Sequence, residues 1–548
     1  MNWFLGILFC LICIFLYNNF TRKKRLKKFK KHLLNNWGKP KKDTYFNFFA
    51  IGRYFDNNNH KKKAFHIISE KGKLDLDIDE VFKFIDRTCS KIGQQYLYYK
   101  LRTIGSLNDL MKFSALTKIF EVNKQLSIEC QLLLSKLNTN ETYYFEELIN
   151  GKQIEKPKNI WFVYTLTILA IVSLILTFIY PVSSILLILI FAVNLFFHYK
   201  NKGNISYYLD GVTQLSKCLK VSQKLAKFPE IASHYNNFLF LTKVSSIQLK
   251  TEFIGFDKLA KNEYTFIFWF PIELLKILFN LEYLIFFSFI DAINKQKESI
   301  EKMYFFIGEI DVAISTASLK FGSHLICKPQ FTATNEIHTE NIYHPLIKNC
   351  IPNDLNLSNS SMLLTGSNMS GKTTFIRTIA INSILAQTLN ICFAKQYSAP
   401  FLQVHTSIRI SDDLLDDTSY YLKEVLIIKE LIDASQGENP CLFVLDEIFK
   451  GTNTIERISG GKAILSFLNK ENNIVFVSTH DIELADLLKK DNYELFHFSE
   501  QINNNKLFFD HKLKNGKLKT RNAIKILELY NYPSGIISDA RKIENEIF

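Results

Sequence analysis

The stretch Gly366-Ser-Asn-Met-Ser-Gly371-Lys372-Thr373 decides the fold, because it matches the phosphate-binding pattern G-x-x-x-x-G-K-[ST] at every defined position. Glycines leave the backbone N–H groups bare, so the loop can wrap closely around phosphate oxygens. In this pattern Lys372 reaches the β- and γ-phosphates and Thr373 holds Mg²⁺. A glycine turn that only caps a helix is the alternative. The complete match favours a nucleotide-binding loop.

Apolar segments around this loop supply the order of strand, loop and helix that the pattern requires. The stretch 362–365 precedes the loop, and the segment 375–389 has the spacing of a helix. A later apolar run, 441–445, is typical of a buried parallel strand, and 474–477 is a third strand. The sequence therefore predicts an α/β domain with the loop at one edge of its sheet.

Polar residues follow the two later strands directly. One strand ends in Asp446-Glu447 and the other runs through Thr479 to His480, and α/β sheets bind ligands at the carboxyl ends of their strands. In the phosphoryl-transfer template, Asp446 would support Mg²⁺, and Glu447 would orient or deprotonate the attacking water. His480 is predicted to contact the γ-phosphate, with a purely structural histidine as the alternative.

These motifs resemble the ATPase domain of MutS, the DNA mismatch repair family. The resemblance is carried by the segments 344–347, 365–374 and 446–454 and by the pair Thr479-His480, and it covers about residues 336–548. It implies a P-loop ATPase domain of the MutS and ABC type that uses ATP and Mg²⁺. The nucleotide-binding residues that it implies are Gly366, Ser367, Asn368, Met369, Ser370, Gly371, Lys372, Thr373, Thr374, Ser419 and Asn453.

The resemblance also implies a mechanism that needs two chains, since MutS ATPase domains close on each other and complete each other's sites. Ser419 and Asn453 would act on the partner's nucleotide, and a homodimer follows. This sequence departs from the family at two places near the site. Cys350-Ile351 stand where many relatives place an aromatic residue against the adenine, and Phe449 stands where a small residue is usual. Both departures concern nucleotide affinity and base preference rather than phosphate chemistry.

A shorter resemblance lies upstream. Residues 84–97 resemble the opening of the helical core that MutS joins to its ATPase, with Gln95 in place of a basic residue. An ordinary amphipathic helix after a cap at Thr88 is the alternative. Long helical stretches between about 205 and 320 fit the remainder of an all-α core and its levers.

Two apolar regions predict contact with a membrane. Residues 3–17 are apolar and the basic run 22–31 follows at once, which is typical of a retained anchor whose carboxyl side stays in the cytoplasm. Between Trp161 and Phe197 no charged residue occurs, and a turn at 181–184 divides the stretch. Two spans or a re-entrant hairpin would fit, and a buried helical hairpin is the alternative. A third apolar patch, 265–290, contains charged residues and is predicted to be core.

Composition is consistent with this division. The net charge of +14 and the aromatic content of 14% suit an anionic membrane surface or nucleic acid. The position of the basic run beside an apolar anchor favours lipid head groups. The nine cysteines show no paired metal-ligand spacing, and nothing in their pattern indicates a disulfide framework.

The predicted organisation places an all-α region with transmembrane helices before the α/β domain. Its parts are an N-terminal membrane anchor (1–20), a basic linker (21–75), a first part of the helical core (76–155), a transmembrane hairpin (159–199), a helical core and lever region (200–335) and a MutS-type ATPase domain (336–548). We expect location in the inner or cytoplasmic membrane, with the ATPase domain in the cytoplasm.

Three functions remain open at this stage. The first is a membrane-anchored MutS-like ATPase that binds DNA or DNA junctions, related to mismatch repair. The second is a MutS-type ATPase that drives conformational change in a membrane-associated complex without DNA. The third is a nucleotide-dependent scaffold, which Glu447 disfavours because a scaffold needs no catalytic base. Residues 1–75 leave no room for the mismatch-reading module ahead of the core, so ordinary mismatch recognition is not expected.

Overall fold

The computed structural model describes most of the chain in two compact units. The described residues are 2–42, 45–57, 59–151, 160–247, 266–323, 325–367, 370–409, 420–449, 452–470, 472–503, 506–518 and 523–547. The first unit is made of Met1–Asn59, Asp86–Tyr99 and Ala115–Gly322. The second is made of His60–Ile85, Lys100–Ser114 and Ser323–Phe548. Both units are therefore discontinuous in sequence.

Helices dominate the first 322 residues. In chain order they are α1 (Asn2–Asn36), α2 (Phe48–Asn57), α3 (Glu70–Asp75), α4 (Ile78–Ile85), α5 (Lys91–Arg102), α6 (Leu107–Val122), α7 (Lys124–Leu134), α8 (Glu147–Asn150), α9 (Ile160–Thr177), α10 (Ser184–Leu225), α11 (Pro229–Tyr235), α12 (Leu239–Ser245), α13 (Phe266–Leu278) and α14 (Leu281–Gly322). The segment 21–75, predicted as a basic linker, contains α2, whose Ile51 and Tyr54 are fully buried. The predicted domain boundaries stay a prediction.

The start of α5 is fixed by a carboxylate of α14. Asp311 accepts hydrogen bonds from the backbone N–H of Ser90 at 2.8 Å and from its hydroxyl at 2.6 Å. Ser90 Oγ also accepts from the N–H of Gly93 at 2.9 Å, so Ser90 is the N-cap. The threonine cap of the alternative interpretation, an ordinary amphipathic helix, is not present, because the Thr88 hydroxyl is bound to Asp86. Burial raises the pKa of Asp311 to about 6.

Gln95 is buried on the same helix, and both the nitrogen and the oxygen of its side-chain amide are hydrogen-bonded. It donates to the backbone oxygens of Ala50 at 2.9 Å and Tyr143 at 3.2 Å. Its oxygen accepts from the Tyr304 hydroxyl at 3.1 Å. A buried cation here would lack a charge partner among these groups, which accounts for a neutral amide in this first unit.

The apolar region 161–197 forms α9 and the first part of α10, joined by a 3-10 turn at Pro181–Ser183. Within the described residues, Ile160–Thr177 and Pro181–Tyr199 are the two helical stretches long and apolar enough to cross a membrane. Only 22% and 17% of these stretches are buried inside the protein. The helix of a soluble core would be mostly covered by protein, whereas these two expose apolar side chains.

The second unit combines strands with helices. Its strands are β1 (His66–Ile67), β2 (Thr103–Ile104), β3 (Gln330–Phe331), β4 (Glu336–Ile342), β5 (Asn353–Ser358), β6 (Ser361–Thr365), β7 (Gln396–Ala399), β8 (Gln403–Ser407), β9 (Cys441–Asp446), β10 (Ile474–Thr479), β11 (Tyr493–His497), β12 (Glu500–Asn503), β13 (Lys506–Phe509) and β14 (Lys514–Asn515). The helices after residue 323 are α15 (Lys372–Leu389), α16 (Tyr420–Ser435), α17 (Thr454–Leu468), α18 (Ile482–Leu488), α19 (Ala523–Leu529) and α20 (Ser534–Ile547).

Within the described part of the chain, the central sheet has six strands in the order β14-β11-β6-β10-β9-β8. All its neighbours pair in parallel except the edge strand β14. β6 and β10 are buried along their whole length, which matches their continuous apolar sequences. β6, β9 and β10 are adjacent, so the residues after their carboxyl ends meet at one sheet edge.

Residues from the amino-terminal half complete this unit. Asp75, at the end of α3, accepts hydrogen bonds from the Thr406 hydroxyl and from the Arg409 backbone N–H, both at 2.8 Å. The side chain of Asp75 is buried. The end of β8 therefore depends on a carboxylate that lies more than three hundred residues earlier in the chain.

Candidate nucleotide site

The glycine loop links β6 to α15, and its described residues form a closed turn. Gly366 has φ +151°, and a Cβ there would lie 2.8 Å from Ser370 Oγ. Gly371 has φ +108°, a backbone conformation that favours glycine. Lys372 Nζ donates to the backbone oxygens of Gly366 at 2.7 Å and Ser367 at 3.0 Å. Asn368 and Met369 lie outside the described residues. The lysine thus folds back over its own loop, where phosphate would lie.

A hydroxyl and a carboxylate meet where the sequence predicts Mg²⁺. Thr373, in the first turn of α15, donates its hydroxyl proton to Asp446 Oδ2 at 2.7 Å. The Ser478 hydroxyl, at the end of β10, donates to Asp446 Oδ1. Oxygen ligands of this kind are those that Mg²⁺ prefers, so the residues present fit the ion. Ser478 was not singled out by the sequence, because its role depends on the pairing of β10 with β9.

Glu447, His480 and Lys372 converge beside this pair. His480 Nε2 lies 3.0 Å from Glu447 Oε1 and 3.2 Å from Lys372 Nζ. An ammonium group only donates and a carboxylate only accepts, so one nitrogen cannot satisfy both at once. The protonation state of Nε2 therefore selects between the two neighbours. Glu447 has φ +57°, and its backbone N–H donates to the Ser478 oxygen at 2.8 Å.

A pocket of about 370 Å³ adjoins the loop. Cys350 and Ile351 line it, as do the rings of Phe498 and His511. His511 Nδ1 lies 2.9 Å from the Ser370 backbone oxygen, so its imidazole is held against the loop. The pocket residues are Ile342, Tyr343, Ile347, Asn349, Cys350, Ile351, Asn353, Gly371, Lys372, Thr373, Thr374, Phe375, Thr378, Phe498 and His511. Phe498 and His511 thus bring aromatic rings to the pocket from far downstream of Cys350-Ile351, the position where the family resemblance places an aromatic residue.

Asn353 holds the His511 segment in place. Its amide donates to the His511 oxygen at 3.0 Å, and its oxygen accepts from the Leu513 N–H at 2.8 Å. Neither His511 nor Phe498 belongs to a recognisable motif, and both come from far downstream in the sequence. No sequence signal could have assigned them to this pocket.

The second family departure, Phe449, has a local explanation. Its backbone has φ +58°, its N–H donates to Glu424 Oε1, and its side chain is buried. A Cβ at Gly460 on α17 would lie 3.0 Å from the Phe449 ring. The large ring is accommodated because the facing helix carries glycine.

The structure describes one of the two residues expected to act on a partner chain. Asn453 is exposed at the N-terminus of α17, where its side chain accepts from the Glu456 N–H at 2.9 Å. Ser419 lies outside the described residues. Behind Asn453, Arg457 forms a two-point ion pair with Asp481 at 2.9 and 2.7 Å. This pair joins α17 to the segment that carries His480, and the sequence did not indicate it.

Comparison with known proteins identifies the carboxyl-terminal region. Residues 362–548 match the family model described as MutS domain V. This region belongs to the MutS domain V family. This confirms the resemblance, and it is the family of the glycine loop, of Asp446-Glu447 and of His480, all within the matched residues. Individual MutS proteins are similar to a longer part of the chain.

Several relatives named "DNA mismatch repair protein MutS" are similar over half of this chain. The protein of Listeria welshimeri is 30% identical over 278 residues, which are 49% of this chain and 32% of the relative. That of Geobacillus sp. is 30% identical over 279 residues, with the same coverage. That of Staphylococcus haemolyticus is 28% identical over 275 residues, or 48% and 31%. The chain spans about a third of the length of the curated MutS relatives it matches.

Proposed function

We propose that this chain is a membrane-anchored MutS-like ATPase of the P-loop class. The observation that carries the proposal is the meeting of Lys372, Thr373, Asp446, Glu447 and His480 at the edge formed by β6, β9 and β10. These side chains come from three separate segments of sequence. Cation, hydroxyl, carboxylate and imidazole are the groups that phosphoryl transfer requires.

Each residue has a role that follows from its position. Lys372 would exchange its two carbonyl partners for the β- and γ-phosphate oxygens of ATP. Thr373 and Asp446 would hold Mg²⁺, whose charge would neutralise the phosphates. Glu447 would orient and deprotonate the attacking water, and His480 would contact the γ-phosphate. Phe498 and His511 line the pocket that would receive the base.

A homodimer is the expected assembly. Asn453 is exposed, and its side chain lies at a helix N-terminus where backbone N–H groups favour anions. Such a residue is suited to reach the phosphates of a partner's nucleotide. Ser419 would act in the same way. The pair Arg457–Asp481 would couple that surface to His480.

The apolar stretches of α9 and α10 support attachment to a membrane. Their exposed side chains include Ile171, Ile175, Ile185, Ile188 and Leu189. Exposing so much contiguous apolar surface to water is unfavourable, and lipid would cover it. The helix α1, which carries the predicted anchor and the basic run, would add a second attachment with anionic lipid head groups as partners. The ATPase domain would then lie in the cytoplasm.

DNA is the proposed macromolecular partner, related to mismatch repair or DNA-junction processing. The relatives' printed name and the net charge of +14 favour it. The alternative is an ATPase that drives conformational change in a membrane-associated protein complex without DNA. The exposed apolar helices are the observation that favours this second function.

The deciding experiment measures ATP hydrolysis by the full chain, purified in detergent, with and without DNA. We expect DNA retention that falls steeply as salt rises, since phosphate contacts release counterions, and hydrolysis that changes when DNA is added. Hydrolysis without any DNA binding at low salt would select the alternative. Absence of both nucleotide binding and hydrolysis would contradict the ATPase assignment itself.

A further inference from the structure

Two cysteines that are far apart in sequence lie opposite each other in the second unit. Cys327, ahead of β3, and Cys392, shortly after α15, form an isolated antiparallel bridge. The N–H of Cys327 donates to the Cys392 oxygen at 2.9 Å, and the N–H of Cys392 donates to the Cys327 oxygen at 3.0 Å. This reciprocal pairing is the hydrogen-bonded position of an antiparallel ladder, where the two opposite side chains share one face.

The backbone spacing at this position suits a disulfide. Residues opposite each other in a hydrogen-bonded pair have Cα atoms about 5.5 Å apart. Disulfides join Cα atoms about 4.4–6.8 Å apart, most often about 5.5–6 Å. The side chains of Cys327 and Cys392 are already in hydrogen-bond contact. A bond between the two sulfurs would therefore need little movement of the backbone.

The two thiols differ in their access to an oxidant. Cys392 is fully buried, and its Sγ donates to Asn382 Oδ1 at 3.3 Å. Burial raises the pKa of the Cys392 thiol, so this sulfur stays protonated and is a poor target for an oxidant in water. Cys327 is half-buried. An oxidant would therefore reach Cys327 first, with Cys392 beside it as the thiol that completes the disulfide.

We propose that Cys327 and Cys392 form a reversible disulfide when the chain is oxidised by hydrogen peroxide. The Cys327 sulfur attacks a peroxide oxygen, the O–O bond breaks, and a sulfenic acid and one water form. The Cys392 sulfur then attacks the Cys327 sulfur, the S–O bond breaks, and the hydroxide leaves with the Cys392 proton as a second water. The two thiols lose two electrons, which reduce the peroxide. This chemistry does not depend on the proposed ATPase activity.

The disulfide would enclose the glycine loop. The segment 327–392 contains β4, β5, β6, the loop 366–373 and α15, and a cross-link stabilises a protein mainly by restricting the unfolded chain. Oxidation would also remove the proton that Cys392 donates to Asn382. The amide nitrogen of Asn382 donates to the Tyr343 backbone oxygen at 3.2 Å, and Tyr343 lines the nucleotide pocket. The oxidation state of the two sulfurs is thus linked to the wall of that pocket.

The test treats the full chain in detergent with hydrogen peroxide, alkylates the remaining thiols in denaturant and maps the unreduced peptides by mass spectrometry. We expect a cross-linked pair of peptides that contain Cys327 and Cys392. The thermal unfolding midpoint should rise on oxidation and return after treatment with dithiothreitol. Cys327→Ser and Cys392→Ser should each abolish the cross-link and the rise. Cys441→Ser, at another buried cysteine, is the matched control and should retain both.

The peptide map of the wild-type chain keeps the proposal testable if a variant fails to fold. Cys327 recovered as sulfinic or sulfonic acid, with Cys392 alkylated, would overturn the proposal, because a thiol in contact with the sulfenic acid should condense with it before further oxidation. Both cysteines recovered in alkylated form, at a peroxide dose that fully oxidises added glutathione, would overturn it too. A disulfide from either cysteine to a different one would contradict the assigned pair.

Discussion

The Thr373 hydroxyl donates to Asp446 Oδ2 at 2.7 Å, which joins the first turn of α15 to the carboxyl end of β9. This contact brings together two motifs separated by more than seventy residues. Because Ser478 donates to the other carboxylate oxygen, Asp446 is held from both sides. Its orientation is therefore fixed by two hydroxyl groups of this chain.

Replacing Glu447 with glutamine should separate binding from turnover. The amide cannot accept the proton of the attacking water, so hydrolysis should fall by about 10²- to 10⁴-fold. ATP affinity should change little, because the loop and Lys372 are intact. Steady-state hydrolysis and equilibrium binding of a fluorescent ATP analogue measure the two effects. Glu438→Gln, in an exposed turn, is the control. Wild-type turnover in the Glu447 variant would refute the role of this carboxylate.

Removing the Ser478 hydroxyl should weaken the response to magnesium. Ser478→Ala leaves Asp446 Oδ1 without that donor, and loss of such an outer partner lowers metal affinity by about 10- to 100-fold. The Mg²⁺ concentration that gives half-maximal hydrolysis should rise accordingly, while the rate at saturating Mg²⁺ stays closer to wild type. Ser538→Ala at an exposed site should leave the titration unchanged. An unchanged titration in Ser478→Ala would contradict the assignment of Asp446.

A methyl group at Gly93 should destabilise the first unit. Its Cβ would lie 2.1 Å from Asp311 Oδ2, and the carboxylate cannot move without losing its hydrogen bonds to Ser90. Overpacking of this kind costs about 1–3 kcal/mol or more, so Gly93→Ala should lower the thermal unfolding midpoint. Gly535→Ala, where no atom lies within 4 Å of the new Cβ, should leave it nearly unchanged. Equal midpoints for the two variants would rule out the tight contact.

Asp311 should make stability depend on pH. Its pKa is raised to about 6 by burial, above the ordinary value of about 4. The charged form is therefore disfavoured in the folded chain, and the free energy of unfolding falls as pH rises from about 4 through about 6, by roughly 3 kcal/mol at most. Asp311→Asn should lack this fall. Denaturant unfolding of both chains at pH 4 and pH 7 gives the comparison. An equal change in the free energy of unfolding between the two pH values for both chains would contradict this prediction.

Lysine on the apolar hairpin should distinguish lipid from water as its surroundings. Ile188 is 67% exposed, so Ile188→Lys would cost little in water but about 2.5–3.5 kcal/mol at the centre of a membrane helix. We expect less of the variant in the membrane fraction after alkaline extraction. Val122→Lys, at a position 80% exposed on α6, is the control. Equal membrane fractions for both variants and wild type would contradict a lipid-facing Ile188.

The sequence was informative where function is carried by neighbouring residues. The common location of Lys372, Asp446-Glu447 and His480 could be predicted because each motif is contiguous or directly follows an apolar strand, and their catalytic roles stay predictions. Ser478, His511 and the Arg457–Asp481 pair could not, because their roles depend on strand pairing and on loops distant in sequence. The cap of α5 at Ser90 could not be predicted for a similar reason, since it depends on Asp311 of the distant α14.

The dependence of β8 on Asp75 has a practical consequence for dissecting the protein. A fragment that begins near residue 336 would contain every motif of the nucleotide site, yet it would strand the Thr406 hydroxyl and the Arg409 amide without their acceptor. If such a fragment did not hydrolyse ATP, the cause would be the loss of these stabilising contacts and not a defect in the catalytic residues. Residues 60–85 belong to the same compact unit as the glycine loop. Removing the amino-terminal half therefore also removes contacts that hold the end of β8 in place.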